Sequence, residues 1–137
     1  MKKLVVFSRI FLGLLGAATL QIAVQALLDP QMVMNNVSVD LGNNLTARNS
    51  LRAVYGGVNL FLGVFWVLTA FWGRFREAGL LLSVLYTGGF AFGRVVSVLS
   101  DGVPGAFAQQ WLVVELVFCA LGTVLLVGYW RRPEPAV

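Results

Sequence analysis

Between Ala53 and Gly73 the chain runs for 21 residues without a charged side chain. An α-helix rising about 1.5 Å per residue needs about 20 residues to cross the hydrocarbon core of a bilayer. In hydrocarbon every backbone N–H and C=O must be satisfied within the segment, and a helix does this alone. A run of this length therefore admits few folds. Overlapping its start is Asn49-Ser-Leu-Arg52-Ala-Val-Tyr55-Gly56-Gly57, polar at one end and apolar at the other.

The rest of the chain agrees with a membrane setting. Of 137 residues, 58% are hydrophobic and 12% charged, and mean hydropathy is +0.82. Soluble domains carry about 25% charged residues, so this chain lacks the polar surface that water requires. The net charge of +4 would suggest nucleic acid in a soluble protein. Here the basic residues cluster at segment ends, where they orient helices in the bilayer, and no nucleic-acid partner is expected. Histidine is absent and Cys119 is the single cysteine. That excludes an internal disulfide, histidine-ligated metal or haem and any histidine-based triad, and no metal or cofactor is expected.

Four apolar segments divide the chain, which is read as a single transmembrane domain over 1–137, all-α, an integral four-helix bundle. The spans are expected at about 4–28, 49–72, 78–99 and 108–130, with an outer loop at 29–48. The basic start and the Val24-Gln25-Ala26 triplet resemble a secretory signal. The apolar run from Ile10 to Leu28 is longer than a signal core, so the segment is expected to stay as the first span, ending at Asp29-Pro30. The loop, with its asparagines and Gly42, is long for a connection. It is expected to hold short structure of its own or to pack over the helix ends.

Lys2, Lys3, Arg9, Arg74, Arg76, Arg131 and Arg132 fall on one side of four such spans. Positive-inside bias makes that side the cytoplasm, with both termini inside (N-in/C-in). Trp66, Trp72, Trp111, Tyr129 and Trp130 are expected near the interfaces as belt residues.

This topology sets depths. Arg52 at the outer end of helix two, Arg94 near the outer end of helix three and Glu115 about two turns into helix four fall in one outer-leaflet layer. Helical spacing adds neighbours. Asn49, Arg52, Gly56 and Asn59 share a face, as do Gln21 and Gln25, then Ser83, Thr87, Arg94 and Asp101, then Glu115, Cys119, Gly122 and Thr123. The candidate ligand-binding set is Arg52, Arg94, Glu115, Asn49, Tyr55, Asn59 and Gln25. No catalytic residue is assigned. Gly89-xxx-Gly93, Gly13-xxx-Ala17 and Gly56-Gly57 are expected to allow close helix approach.

Three readings of the layer stay open. The charges can form an internal salt-bridge network, since an unpaired charge at this depth costs ~2.5–3.5 kcal/mol or more. Alternatively the surplus positive charge of two arginines against one glutamate receives an anionic or amphipathic ligand or a lipid head group. Proton or ion translocation is the third, and the inner half offers no titratable groups for it. Tyr55 and Tyr86 read more readily as packing residues than as catalytic ones.

The stretch Asn49-x-x-Arg52-x-x-Tyr55-Gly56-Gly57 resembles the opening of the second helix in the DUF4345 family of small bacterial four-span membrane proteins. Four hydrophobic segments, an arginine late in the third and the chain length extend the likeness over most of the chain. More loosely the layout is similar to DoxX-like four-helix membrane proteins. The resemblance implies a four-span fold and a bacterial inner membrane, and it carries no activity. A non-enzymatic inner-membrane protein is expected, with membrane lipid or a small anionic molecule as ligand. The alternatives are an accessory subunit of a larger membrane complex and a small transporter or membrane enzyme. Homo-oligomerisation is compatible with each.

Overall fold

The computed structural model describes residues 2–131, so Arg132 and the tail at 133–137 lie outside the described residues. Helix α1 spans Lys2–Leu28, α2 Pro30–Asn35 and α3 Leu45–Leu51. A π-helical stretch, Arg52–Val58, leads into α4, Asn59–Phe71. A 3-10 turn, Gly73–Phe75, is followed by α5, Arg76–Asp101, and α6, Ala106–Trp130. The architecture is all-helical with no strand among the described residues. Four rods, Lys2–Leu28, Leu45–Phe71, Gly73–Asp101 and Ala106–Trp130, are long and apolar enough to cross a membrane. Their outward side chains include Phe61, Leu85 and Phe92, exposed by 77%, 63% and 71%. That surface suits hydrocarbon, not water.

The helix ends have local causes. Proline at 30 cannot continue α1, and it serves instead as the first residue of α2, where its missing N–H is no loss. Asp29 caps that helix by accepting from the Gln31 amide at 3.0 Å. Gln31 then ties the loop together, donating to the Val39 carbonyl at 2.9 Å and accepting from the Leu41 amide at 2.9 Å. Asn44 caps α3 through the Ala47 amide at 3.0 Å. At the end of α5, Gly102 adopts φ 96°, the positive-φ termination that glycine accommodates without a Cβ clash.

Close backbone contact joins α1 to α4. A Cβ on Gly16 would stand 2.9 Å from the Gly63 carbonyl oxygen, and one on Gly63 would stand 3.1 Å from that of Gly16. The two helices touch through bare backbone, the small-residue packing that holds membrane helices together. Gly13 has nothing within 4 Å of its Cβ position, and neither do Gly89 and Gly93. The GxxxG of α5 thus faces open space, with no close helix approach at either glycine among the described residues. Inward, Phe11, Leu12, Leu15, Trp66, Ala70, Leu80 and Leu126 form the core. Trp66, expected at an interface, is fully buried there, and its indole N–H donates to the Gly79 carbonyl at 3.1 Å. The helix step that brings Gly63 against α1 also turns position 66 inward, and a satisfied N–H makes burial tolerable.

Leu4 lies against Gly128 and Leu27 against Gly56, so the spans alternate in direction. Lys2, Lys3, Arg9, the 73–76 turn and Arg131 share one end of the bundle, the basic end. The loop at 29–44 and the 102–105 connection share the other, the loop end. At the basic end Arg76 is buried at the foot of α4. Its Nη2 donates to the Ala70 carbonyl at 3.1 Å and its Nη1 to the Tyr129 hydroxyl at 3.5 Å. Cation and carbonyl meet where the helix dipole favours a positive charge.

Candidate functional site: the Arg94–Glu115 chamber

Arg94 sits about two turns before the end of α5, and Glu115 about two and a half turns into α6. Because these helices run side by side in opposite directions, the two residues reach one level near the loop end. Arg94 Nε donates to Glu115 Oε2 at 2.7 Å, with side-chain exposures of 29% and 10%. Opposite charges at this separation offset part of each other's desolvation. The bond uses Nε alone. It leaves both Nη groups of Arg94 and Oε1 of Glu115 free of hydrogen bonds to the described residues.

A chamber of about 300 Å³ lies beside this pair, between the α1/α4 and α5/α6 halves of the bundle. Its polar wall includes Gln25, Tyr55, Asn59, Tyr86, Arg94 and Glu115. Ile22, Phe107, Trp111 and Phe118 make its apolar side, and Met34 and Val37 of the loop close over it. The Tyr86 hydroxyl donates to Asn59 Oδ1 at 2.7 Å, which satisfies an amide oxygen that would otherwise be stranded at depth. The Tyr86 ring stands edge-on to Trp66 at 5.0 Å and to Phe90 at 4.9 Å between centroids. An aromatic row thereby links core to chamber. A second void of about 530 Å³ shares Tyr55, Tyr86, Phe90 and Arg94 with the chamber, then runs over Gly89 and Gly93.

Five of the seven candidate residues line the chamber: Arg94, Glu115, Tyr55, Asn59 and Gln25. The other two stand elsewhere. Arg52 is exposed, donating from Nε to the Leu27 carbonyl at 3.2 Å, where it caps the C-terminus of α1. Asn49 is exposed on α3. The cause is the π-helical stretch. An i→i+5 pattern turns each residue by less than the ~100° of an α-helix, so Arg52 and Asn59, seven apart, no longer share a face. Arg48, the neighbouring base, pairs with Asp29 at 3.5 Å.

Sequence reasoning passed over the aromatic half of the wall. Tyr86 and Phe90 precede Arg94 at steps of four, and Phe107 and Trp111 precede Glu115 at the same steps. Two aromatic stripes leading to the two charges were the available signal. Among the described residues no group of three His, Cys, Asp or Glu side chains converges to hold a metal.

The DUF4345 family, described as a domain of unknown function, matches residues 7–126. The chain belongs to this DUF4345 family. The matched stretch contains every residue of the chamber wall. No curated protein and no solved structure matches the chain.

Proposed function

We propose that this DUF4345 protein is a non-enzymatic, multi-pass protein of the bacterial inner membrane, with both termini in the cytoplasm. Its chamber, near the outer surface, receives a small anionic or amphipathic molecule or a lipid head group. The observation that carries the reading is the void beside the Arg94–Glu115 pair. Free hydrogen-bonding atoms of Arg94 and Glu115, with the Tyr55 hydroxyl and the Gln25 amide, border it at a depth where hydrocarbon would satisfy none of them. Aromatic and aliphatic side chains on the other wall suit an apolar body. The clustering of basic residues at the opposite end supports the orientation.

Native mass spectrometry of gently extracted protein tests the reading. A bound small molecule is expected on the wild type, with its occupancy reduced in Arg94→Gln and Tyr55→Phe. Bare protein throughout, or occupancy in both variants equal to that of the wild type, would overturn it.

A second reading is favoured by the α5 glycines. Gly89 and Gly93 border open space, which leaves a small-residue stripe for a helix of another protein in a larger membrane complex. Co-purification of a partner, lost on Gly93→Leu, is the outcome that reading requires.

A further inference from the structure

Among the described residues, Arg94 and Glu115 are the only ionised side chains in the walls of the chamber and of the groove that adjoins it. Their charges sum to zero. The surplus positive charge that would favour an anion is not there, because Arg52 caps α1 and Arg48 is paired with Asp29. From these placements we infer that the chamber selects an amphiphile with an uncharged head bearing hydroxyl, carbonyl or amide groups, and that Glu115 excludes anions. The inference rests on the chamber being a binding site and narrows the class of molecule it takes.

The physical argument is a balance of charge against desolvation. An anion within reach of Arg94 is also within reach of Glu115, because the two side chains touch at 2.7 Å. Attraction and repulsion largely cancel, and the anion's loss of hydration stands unopposed. An uncharged head loses far less on leaving water. It also finds donors in the free Nη groups of Arg94 and the Tyr55 hydroxyl, and an acceptor in Glu115 Oε1. Gln25 offers both.

The apolar wall defines the remainder. A chamber of about 300 Å³ is roughly twice a cavity known to take benzene, enough for a ring or a short length of chain. A longer tail leaves past Tyr55 and Phe90 into the groove, where no side chain stands within 4 Å of the Gly89 and Gly93 Cβ positions. That groove gives the glycines a use without a partner helix.

The test uses the full chain in nanodiscs of zwitterionic lipid and two brominated probes with the same chain, an alkylglycerol and an alkyl sulfate. Bromine quenches nearby indoles, and the signal of Trp111 in the chamber wall is the wild-type quenching minus that of Trp111→Phe. Saturable quenching by the alkylglycerol is expected at a mole fraction roughly tenfold below that for the alkyl sulfate. Glu115→Gln leaves Arg94 uncompensated, so the order should reverse. In case that variant inserts poorly, Arg94→Gln/Glu115→Gln keeps the chamber neutral and should bind the alkylglycerol more weakly with the order retained. Undiminished alkylglycerol binding there would overturn the inference, since the pair would then not hold the head. Alkyl sulfate saturating first in the wild type would overturn the inference and leave the binding site standing. An unchanged order in Glu115→Gln would do the same. Absence of saturable Trp111 quenching by either probe would overturn both.

Discussion

Glu115 Oε2 accepts from Arg94 Nε at 2.7 Å, joining α5 to α6 by a charged contact inside the apolar part of the bundle. Each residue is tolerable there because the other is present. Removing one leaves the other charge without its partner in a setting that water reaches only in part.

Arg94→Gln and Glu115→Gln should therefore each destabilise the fold by ~3 kcal/mol, the low end for a buried pair, because Arg94 keeps partial access to solvent. The double variant should lose less than the sum of the singles. Thermal unfolding in a fixed detergent gives the cycle, and strictly additive losses would mean that the pair is not coupled.

Tyr86→Phe keeps the ring between Trp66 and Phe90 and deletes the donor to Asn59. A loss of ~1–2 kcal/mol is expected, the cost of a buried acceptor left without a partner. Tyr55→Phe breaks no protein hydrogen bond and should be near neutral in the ligand-free protein. Equal effects from the two would contradict the assigned geometry.

Gly16→Ala places a methyl against the Gly63 carbonyl, a backbone atom that cannot swing aside. Destabilisation of about 1–3 kcal/mol is expected. Gly13→Ala and Gly89→Ala meet open space and should be neutral or stabilise the helix by up to ~1 kcal/mol. Unfolding midpoints of the three variants, measured side by side, should separate Gly16 from the other two.

These glycines also show where the sequence is legible and where it is not. Four spans can be read directly, because an apolar run of that length with at most a single charge has one economical solution in hydrocarbon. The common level of Arg94 and Glu115 follows from counting residues to each helix end. Partnership is another matter. Gly13 and Gly89 carry the same spacing signal as packed glycines, yet only Gly16 and Gly63 find each other's backbone. Trp66 suits a belt or a core equally well until a carbonyl such as that of Gly79 is found to accept its N–H. Arg52 is the clearest case. Steps of an α-helix put it on one face with Asn59, and the π-helical stretch from 52 to 58 breaks that step with no apolar period to announce it.

Arg76 carries a further prediction. Its guanidinium is buried at the basic end and reaches the Ala70 carbonyl and the Tyr129 hydroxyl with two different nitrogens. Lysine carries the same charge on a single nitrogen and cannot span both. Arg76→Lys should lose ~1–3 kcal/mol although the charge is retained. Arg74→Lys, on an exposed neighbour in the same turn, should be silent. Unfolding measurements that found the two exchanges equivalent would show that charge, not the forked geometry, is what position 76 requires.

The proposed orientation makes the last prediction. With Cys119→Ala as background, single cysteines at Lys3 and Asn43 place one thiol at the basic end and one on the exposed loop. In intact cells whose outer membrane admits small reagents, a charged maleimide should label the cysteine at 43 at once. The cysteine at 3 should react only after the inner membrane is opened. The reason is electrostatic. Lys2, Lys3, Arg9, Arg74, Arg76 and Arg131 stand at one end, and basic residues in short flanking segments are retained on the cytoplasmic side. The loop end has Arg48 and Arg52, and there Asp29 pairs with Arg48 while Arg52 is engaged with Leu27. Labelling at 3 and protection at 43 would invert the protein and place the chamber on the cytoplasmic side, where its ligands would have to come from a different pool.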